Sequence, residues 1–294
     1  MKIFDCFTYL DEDLILDLRL NVLNKYVDKF IIVESKYRHN GEVKKQNFDI
    51  NNFKNFKNKI EYIFLDKEPE NLLSIKKSVE KEELNMKALY RDNFQRNNIE
   101  LGLNFAENDD FIIISDIDEI PNLKDINFKN YISSILLFKQ KMFYYKFNLF
   151  YEELEWYGSK ACTKKLLKSP QWLRNLKNKR YPLWRIDALF SEKKFSNIEF
   201  INNGGWHFTN INSPEKIFKK LETNAHHIDF AESGINLQDL KNLILQKKIG
   251  YDHFADQKTK NKWTSEIKLK KIDESLLPNY IIQNKKRFQE WLEL

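Results

Sequence analysis

The feature that most constrains this chain is an apolar run that ends in a cluster of acids. Residues 111–121 read FIIISDIDEIP, so three acids fall within four positions directly after the apolar residues. A short continuous apolar run is typical of a strand that is buried on both faces of a sheet. Because side chains alternate along an extended chain, Asp116 and Asp118 are expected on one side and Glu119 on the other. Two carboxylates are therefore predicted to converge at the carboxyl end of a central strand.

Two interpretations of these acids are open. In open α/β sheets, ligands bind beyond the carboxyl ends of the strands, and carboxylate oxygens suit Mg²⁺ or Mn²⁺ with a phosphate-bearing substrate. Alternatively, the acids cap a following helix, with Pro121 in its first turn. The strand context and the density of acids favour the first interpretation, in which Asp116 and Asp118 hold a divalent cation against a diphosphate.

Strand and helix patterns alternate in the first half of the chain. The predicted elements are strand 2–9, helix 11–26, strand 30–33, strand 60–65 and a long helix 79–106. This order predicts right-handed crossovers and a mostly parallel central sheet that is flanked by helices.

The second half is predicted to add a hairpin and a helical lobe. Ser213 and Pro214 have the residue types that open a helix. We expect a single α/β domain over 1–294, with a sheet-rich half at 1–125 and a second half at 126–294 that ends in helices. The further predicted elements are strands 142–151 and 156–167 and helices 237–249 and 277–294.

Several polar side chains of the first half are candidates for nucleotide contacts. Glu34 ends the second strand, where it could accept hydrogen bonds from a ribose or a base, or cap a loop. Arg91 and Gln95 are four residues apart on one face of the long helix. Arg96 follows Asp92 by four residues, so it either contacts the nucleotide or forms a surface ion pair.

A second unusual segment, residues 202–208, reads NNGGWHF and uses two of only 7 glycines. Adjacent glycines allow a close approach of backbones that other residues forbid. His207 is either a third ligand of the cation or a contact to the diphosphate, or it is a half-buried histidine that bonds to a backbone carbonyl.

Aromatic residues of the second half have two open interpretations. Exposed rings could stack on sugar rings, and buried rings would belong to the core. The residues concerned are Trp156, Tyr157, Trp172 and Trp184.

Composition narrows the class of protein. The 49 basic and 43 acidic residues give a net charge of only +6, which argues against a nucleic-acid partner. The segments 164–179 and 258–271 are rich in lysine; they are either solvated surface or a peripheral contact to anionic lipid. Cys6 and Cys162 are the only cysteines, which argues against a disulfide framework and favours a reducing cytoplasm. The chain opens in strand pattern, and no signal peptide or membrane anchor is expected.

Taken together, these segments resemble glycosyltransferase family 17, and the similarity runs through most of the chain. The acidic segment and the Gly-Gly-Trp-His segment are specific for this family when they occur together, and neither is specific alone. The matching segments are 33–35, 91–92, 95–97, 115–121 and 204–208, followed by 220–222, 225–226 and 250–252.

The resemblance implies a GT-A fold, in which a D-x-D motif holds Mn²⁺ or Mg²⁺ on the diphosphate of a nucleotide-sugar donor. It implies UDP-N-acetylglucosamine as the donor and inversion at the anomeric carbon. Residues 1–125 would bind the donor, and residues 126–294 would bind a glycan acceptor. The implied donor contacts are Glu34, Arg91, Gln95, Arg96, Asp116 and Lys220, and the implied metal ligands are Asp116, Asp118 and His207.

Because no anchor or stem like that of the Golgi members is expected in this chain, the resemblance implies a bacterial or viral protein. The implied acceptor is then a surface polysaccharide or lipooligosaccharide, made at the cytosolic side, rather than a glycoprotein N-glycan.

Inversion needs a base that takes a proton from the acceptor hydroxyl on the face opposite the leaving UDP. Asp116 and Asp118 are committed to the cation, which stabilises the departing diphosphate. Glu222 is the first candidate for the base and Asp229 the second, because both follow the glycine segment in the expected acceptor lobe.

Two other classes of function are compatible with the sequence. A metal-dependent phosphohydrolase or nuclease also uses carboxylates at strand ends, although two-metal sites usually need more converging acids. A carbohydrate-binding protein without catalysis could retain the same fold. The sequence does not predict an oligomeric state.

Overall fold

The computed structural model describes residues 1–181, 191–255 and 261–294. The strands are β1 (Ile3–Tyr9), β2 (Lys29–Ser35), β3 (Ile60–Leu65), β4 (Phe111–Asp116), β5 (Glu119–Pro121), β6 (Ile135–Tyr144), β7 (Leu149–Thr163), β8 (Ile198–Ile201), β9 (Gly205–Thr209) and β10 (Lys270–Lys271). The α-helices are α1 (Asp13–Leu23), α2 (Glu80–Asn97), α3 (Pro170–Asn175), α4 (Pro214–Leu221), α5 (His227–Ser233), α6 (Leu237–Leu245), α7 (Asn279–Gln283) and α8 (Lys285–Phe288). In these ranges no helix has both the length and the apolar composition that are needed to cross a bilayer.

The fold is α/β as predicted, but the sheet is mixed rather than mostly parallel. Its order is β3-β2-β1-β4-β7-β6-β9-β5, with β8 on β6 and β10 on β7. The first four strands of this order are parallel to one another, and β7 is antiparallel to both β4 and β6. Because only residues 145–148 join β6 to β7, these two strands have to run antiparallel. The hairpin that they form occupies the middle of the sheet.

Predicted elements were most accurate where an apolar run has clear ends. The strand at 60–65 has the predicted bounds, and Ser213 caps α4 by accepting a hydrogen bond from the backbone of Lys216. The strand predicted at 142–151 is wrong, because it spans the end of β6, the turn and the start of β7. That turn contains neither glycine nor proline, and Tyr145 takes a positive φ of 65° there.

Two predicted helices are shorter than expected. The helix predicted at 79–106 ends at Asn97 and continues as a 3₁₀ segment, Asn98–Leu103. The helix predicted at 277–294 is divided into α7 and α8 at Asn284, whose φ of −116° and ψ of 33° are not helical.

Strand β4 is buried on both faces, as its apolar run predicts. Ile113 packs into one hydrophobic core with Ile32 and the leucines of α1, and Ile112 and Ile114 pack into the core on the opposite face. Both cores exclude water from the strand, so its polar carboxyl end is the first point at which a ligand can reach it.

The acidic segment continues as a strand and not as a helix, so the helix-capping alternative is wrong. Glu119, Ile120 and Pro121 form β5, which pairs antiparallel with β9. In this register Glu119 lies opposite His207, and Pro121 lies opposite Gly205. The two unusual segments of the sequence are therefore hydrogen-bonded neighbours.

Candidate active site

A cavity of about 370 Å³ opens at the carboxyl ends of β1, β2 and β4. Tyr9, Ser35 and Asp116 line it from these three strand ends. The C-terminal end of α4 also lines it, together with Ile249, Gly250, Tyr251, His253 and Trp263. This is the edge of the sheet at which open α/β folds bind ligands.

Asp116 lies in the cavity wall between two arginines. Its Oδ1 accepts a hydrogen bond from Arg96 at 2.9 Å, and its Oδ2 accepts one from Arg174 at 2.9 Å. Burial alone would raise the pKa of Asp116, but the charges of Arg174 and Arg96 outweigh burial and lower it. Asp116 is therefore ionised, and both of its oxygens are engaged.

Asp118 lines the same cavity and has weaker contacts. Its Oδ1 lies 3.5 Å from Nε2 of His207, and its Oδ2 lies 3.9 Å from Nζ of Lys220. Burial raises the pKa of Asp118, but the charge and hydrogen bond of His207 together with the charge of Lys220 outweigh burial and lower it. The carboxylate of Asp118 is thus ionised and open to an additional cation.

Glu119 does not line the cavity, but it shares the guanidinium of Arg174 with Asp116, so the predicted placement of these two acids on opposite sides is not confirmed. It is fully buried and accepts hydrogen bonds from the backbone N–H of Asp116, the indole of Trp156 and the guanidinium of Arg174, each at 2.8 Å. Removal of these donors would leave a buried charge unpaired, which is costly.

Arg19 supports the acidic turn and was not predicted from the sequence. It is fully buried on α1, pairs with Asp5 of β1, and donates hydrogen bonds to the backbone oxygens of Asp116, Ile117 and Glu119. These bonds fix the turn that presents Asp118. A charged residue inside the apolar first strand was the available signal, because Asp5 needs a buried partner.

Arg174 was also missed. It lies in α3, far from the acids in sequence, and its only local signal is the helix start at Ser169 and Pro170. No pattern in the sequence connects α3 to β4, so this contact required the fold.

Four of the predicted donor contacts precede the acidic segment, and two of the four line the cavity. Gln95 and Arg96 line the cavity, and the amide of Gln95 donates to the carbonyl oxygen of Val33 at 2.8 Å. Glu34 is fully buried and accepts hydrogen bonds from the backbone of Asn47 and Phe48, which is the loop-capping alternative.

Arg91 lies outside the cavity lining. Its Nε donates to Glu68 at 2.7 Å, and its Nη1 donates to the carbonyl oxygen of His39 at 3.2 Å. It thereby supports the loop that carries His39, which does line the cavity.

An aromatic wall, defined as Tyr144, Trp156, Tyr251, His253 and Trp263, lines the cavity opposite the first strands. Trp156 lies with its ring centroid 5.0 Å from that of His207. Burial and the nearby charge of His207 lower the pKa of His253 to about 4, so its imidazole is neutral at pH 7. The wall offers apolar ring faces beside hydrogen-bonding groups.

Two of the other three aromatic candidates, Trp172 and Tyr157, do not line this cavity. Trp172 is buried in the core with Leu173, and Tyr157 packs on Phe200. Trp184 lies outside the described residues.

The two residues predicted as bases lie beside the cavity-lining residues Leu221 and Phe230 without lining the cavity themselves. Glu222 is exposed at the end of α4. Asp229 forms an ion pair with Lys262 at 2.9 Å.

The residues around Asp118 fit a divalent cation in part. In the described ranges, no group of three or more His, Cys, Asp and Glu side chains is arranged to hold a metal ion by itself. Mg²⁺, however, is usually bound by one or two carboxylates together with substrate phosphates and water. Asp118 suits that arrangement. Although burial alone would lower the pKa of His207, the charge of Asp118 raises it, so His207 would become a ligand only once the cation displaces the proton from its imidazole. Asp116 suits the arrangement less well, because arginines engage both of its oxygens.

The chain matches the model of a known protein family. The model of a family described as glycosyltransferase family 17 matches residues 1–174. No curated protein matches the chain. The match contains the acidic segment and ends at Arg174, so the Gly-Gly-Trp-His segment and the later segments of the resemblance lie outside it.

Proposed function

The chain belongs to glycosyltransferase family 17, and on this premise we propose that it is a metal-dependent, inverting transferase. The proposed donor is UDP-N-acetylglucosamine, which would make it an N-acetylglucosaminyltransferase of the GT-A type. The proposed acceptor is a glycan such as a surface polysaccharide or lipooligosaccharide. The cavity at the strand ends, with an ionised Asp118 facing into it, is the observation that carries this proposal.

The donor is proposed to bind across the ends of β1, β2 and β4. Gln95 and Arg96 line this side, and Asp116 holds Arg96 in position through the 2.9 Å hydrogen bond. Asp118 and His207 would hold Mn²⁺ or Mg²⁺, which would offset the charge that develops on the leaving diphosphate. Lys220 stands 3.9 Å from Asp118 and adds a second positive charge at the same point.

The acceptor is proposed to lie against the aromatic wall. Sugar rings have apolar faces and polar edges, which suits aromatic faces that adjoin hydrogen-bonding groups. Tyr251, His253 and Trp263 lie beyond the family match, which ends at residue 174, so their part of the acceptor side rests on the geometry of the cavity alone.

The general base stays a prediction from the sequence. Glu222 and Asp229 lie directly next to the cavity wall, and the base has to meet the acceptor hydroxyl opposite the leaving group. We propose to compare Glu222→Gln and Asp229→Asn. Loss of transfer with unchanged UDP binding identifies the base, and full activity in both variants removes both residues from that role.

The compartment is proposed to be the cytoplasm. Both cysteines are free thiols, which is usual where thiols are kept reduced.

The proposed function is tested by incubation of the protein with a panel of UDP-sugars and Mn²⁺, with products separated by chromatography. Transferase chemistry with water as a slow acceptor yields UDP and free sugar, and EDTA abolishes the release. A metal-dependent phosphohydrolase would instead yield UMP and sugar phosphate. Cleavage of that kind, or no metal-sensitive UDP release from any donor, contradicts the proposal.

A further inference from the structure

Arg38 stands out among the positive charges of the cavity wall. Three of the four lysine and arginine side chains that line the cavity are paired: Lys44 with Glu34, Arg96 with Asp92 and Asp116, and Lys220 with Glu12. In the described part of the chain, Arg38 has no carboxylate within the 4.0 Å of an ion pair. A half-buried guanidinium without a counter-charge is unfavourable unless a ligand supplies one.

The hydrogen bonds of Arg38 are also incomplete. Its Nη1 donates one long hydrogen bond, 3.4 Å, to the hydroxyl of Thr223, and its Nε is buried without a partner in the described residues. A guanidinium has five donors in a planar fork that matches two oxygens of a phosphate. Most of these donors therefore have no hydrogen-bond partner in the described residues.

The loop that follows β2 holds Arg38 in place. The backbone N–H of Arg38 donates to Glu42 at 2.8 Å, and its carbonyl oxygen accepts from Gly41 at 2.9 Å. The N–H of Asn40 donates to the carbonyl oxygen of Thr223 at 3.4 Å, which ties this loop to the end of α4. The position of Arg38 is thus fixed before any ligand arrives.

Lys220 lies one helical turn before Thr223 and faces the same region. Burial raises the pKa of the nearby Asp11, and the charges of Arg38, Lys220 and Lys216 all act on that carboxyl to lower it. Both Arg38 and Lys220 line the cavity, and Lys220 is also 3.9 Å from Asp118. Two cations from separate elements therefore border the space in front of Asp118.

We propose that Arg38 and Lys220 together bind an anion with two phosphoryl groups. Its identity as the diphosphate of the donor rests on the proposed function, whereas the anion site rests on the unpaired Arg38. Arg38 would bind the phosphoryl oxygens in a bidentate manner and Lys220 would act as a point charge.

The test titrates the full chain with UDP and with pyrophosphate by calorimetry in one Mg²⁺ buffer, and follows uridine by saturation-transfer NMR. The variants are Arg38→Gln, Arg38→Lys and the control Arg180→Gln, whose side chain is 59% exposed and pairs with Glu199. Thermal unfolding verifies that each variant is folded.

We expect Arg38→Gln to bind UDP and pyrophosphate roughly 10- to 100-fold more weakly, because it loses charge-assisted hydrogen bonds. Uridine binding should not change, Arg38→Lys should recover part of the loss, and Arg180→Gln should match the wild type. UDP and pyrophosphate affinities that are unchanged in Arg38→Gln, or a loss that is equal for uridine, would overturn the inference.

The outcome for the wild type separates this inference from the proposed function. Arg38-dependent binding of pyrophosphate without binding of UDP or uridine would reject the nucleotide donor and retain the anion site. Binding of none of the three ligands would reject both.

Discussion

The buried charges beneath the cavity are paired from more than one side. Arg174 donates to Asp116 and to Glu119, and Arg19 pairs with Asp5 while it also bonds the backbone of the acidic turn. Such pairs add little net stability, but the loss of one partner leaves the other charge buried. The network therefore fixes the direction of the acids more than it stabilises the domain.

Because of this network, we expect the substitution Arg174→Met to destabilise the folded protein strongly. The variant leaves Glu119 without its cation, and we expect the free energy of unfolding to fall by about 3 kcal/mol. Denaturant unfolding measures this change. Arg180→Met, which removes an exposed ion pair, should change the same quantity by less than about 0.5 kcal/mol. Equal small effects in both variants would show that Glu119 does not depend on Arg174.

The lowered pKa of Lys160 predicts that the stability of the folded protein depends on pH. Burial and the charge of Arg174 lower the pKa of Lys160 to about 7, whereas the unfolded chain has the ordinary lysine value of 10.5. Between pH 7 and pH 10.5 the unfolded state binds more protons than the folded state, so the contribution of Lys160 to stability rises with pH. Below pH 7 its unfavourable effect is fully present.

The measurement is the difference in free energy of unfolding between the wild type and Lys160→Met from pH 6 to 9. We expect the wild type to gain relative to the variant by up to about 1.4 kcal/mol per pH unit above pH 7. A difference that stays constant over this range would contradict the lowered pKa.

At the scale of elements, the pairing of β5 with β9 depends on two adjacent glycines. A Cβ on Gly205 would lie 2.1 Å from the carbonyl oxygen of Ile120, and its φ is +125°. Gly204 is equally close to the backbone, since its Cβ would lie 2.6 Å from the amide nitrogen of Lys139. The close approach that the sequence predicts for these glycines is confirmed.

Gly205→Ala should therefore separate β5 from β9 and displace His207. We expect a loss of stability of more than about 3 kcal/mol, together with loss of UDP release. Gly234→Ala is the matched control: its φ is also positive, +69°, but nothing lies within 4 Å of its Cβ, so only the backbone cost of about 1 kcal/mol applies. Similar costs for both variants would argue against the close contact.

Element patterns were predictable where one physical cause dominates. The apolar run of β4 specifies a buried strand, and the acids after it had to fall at the sheet edge. The β6–β7 turn could not be predicted, because continuous aromatic residues hide a turn that lacks glycine and proline. Likewise, the sheet is mixed because of that hairpin. The alternation of strands and helices in the first half therefore could not predict it.

At the scale of the whole molecule, both thiols are protected by the folded core. Cys6 and Cys162 are fully buried, and burial raises the pKa of each, that of Cys162 to about 12. We expect a thiol reagent to modify neither cysteine in the native protein and both after unfolding in denaturant. Rapid modification of either thiol without denaturant would contradict the burial of β1 or β7.

The cavity as a whole combines parts that the sequence predicts with parts that only the fold assembles. Asp116, Asp118, His207, Gln95 and Arg96 were named from local patterns and Lys220 from the family resemblance, and all six line one cavity. Arg38, Tyr251, His253 and Trp263 come from loops without a regular pattern, so their convergence with Tyr144 of β6 and Trp156 of β7 depends on tertiary structure. Glu222 and Asp229 were chosen by order along the chain, which does not determine the direction of a side chain.

The central claim is that Asp118 holds a divalent cation against the diphosphate of a nucleotide donor. The most direct measurement is a crystal structure with UDP and Mn²⁺, with the metal located by its anomalous scattering. We expect a manganese peak in contact with Asp118, and a diphosphate between that peak and the side chains of Arg38 and Lys220. UDP bound in this cavity without metal at Asp118, or UDP bound at another part of the surface, would contradict it.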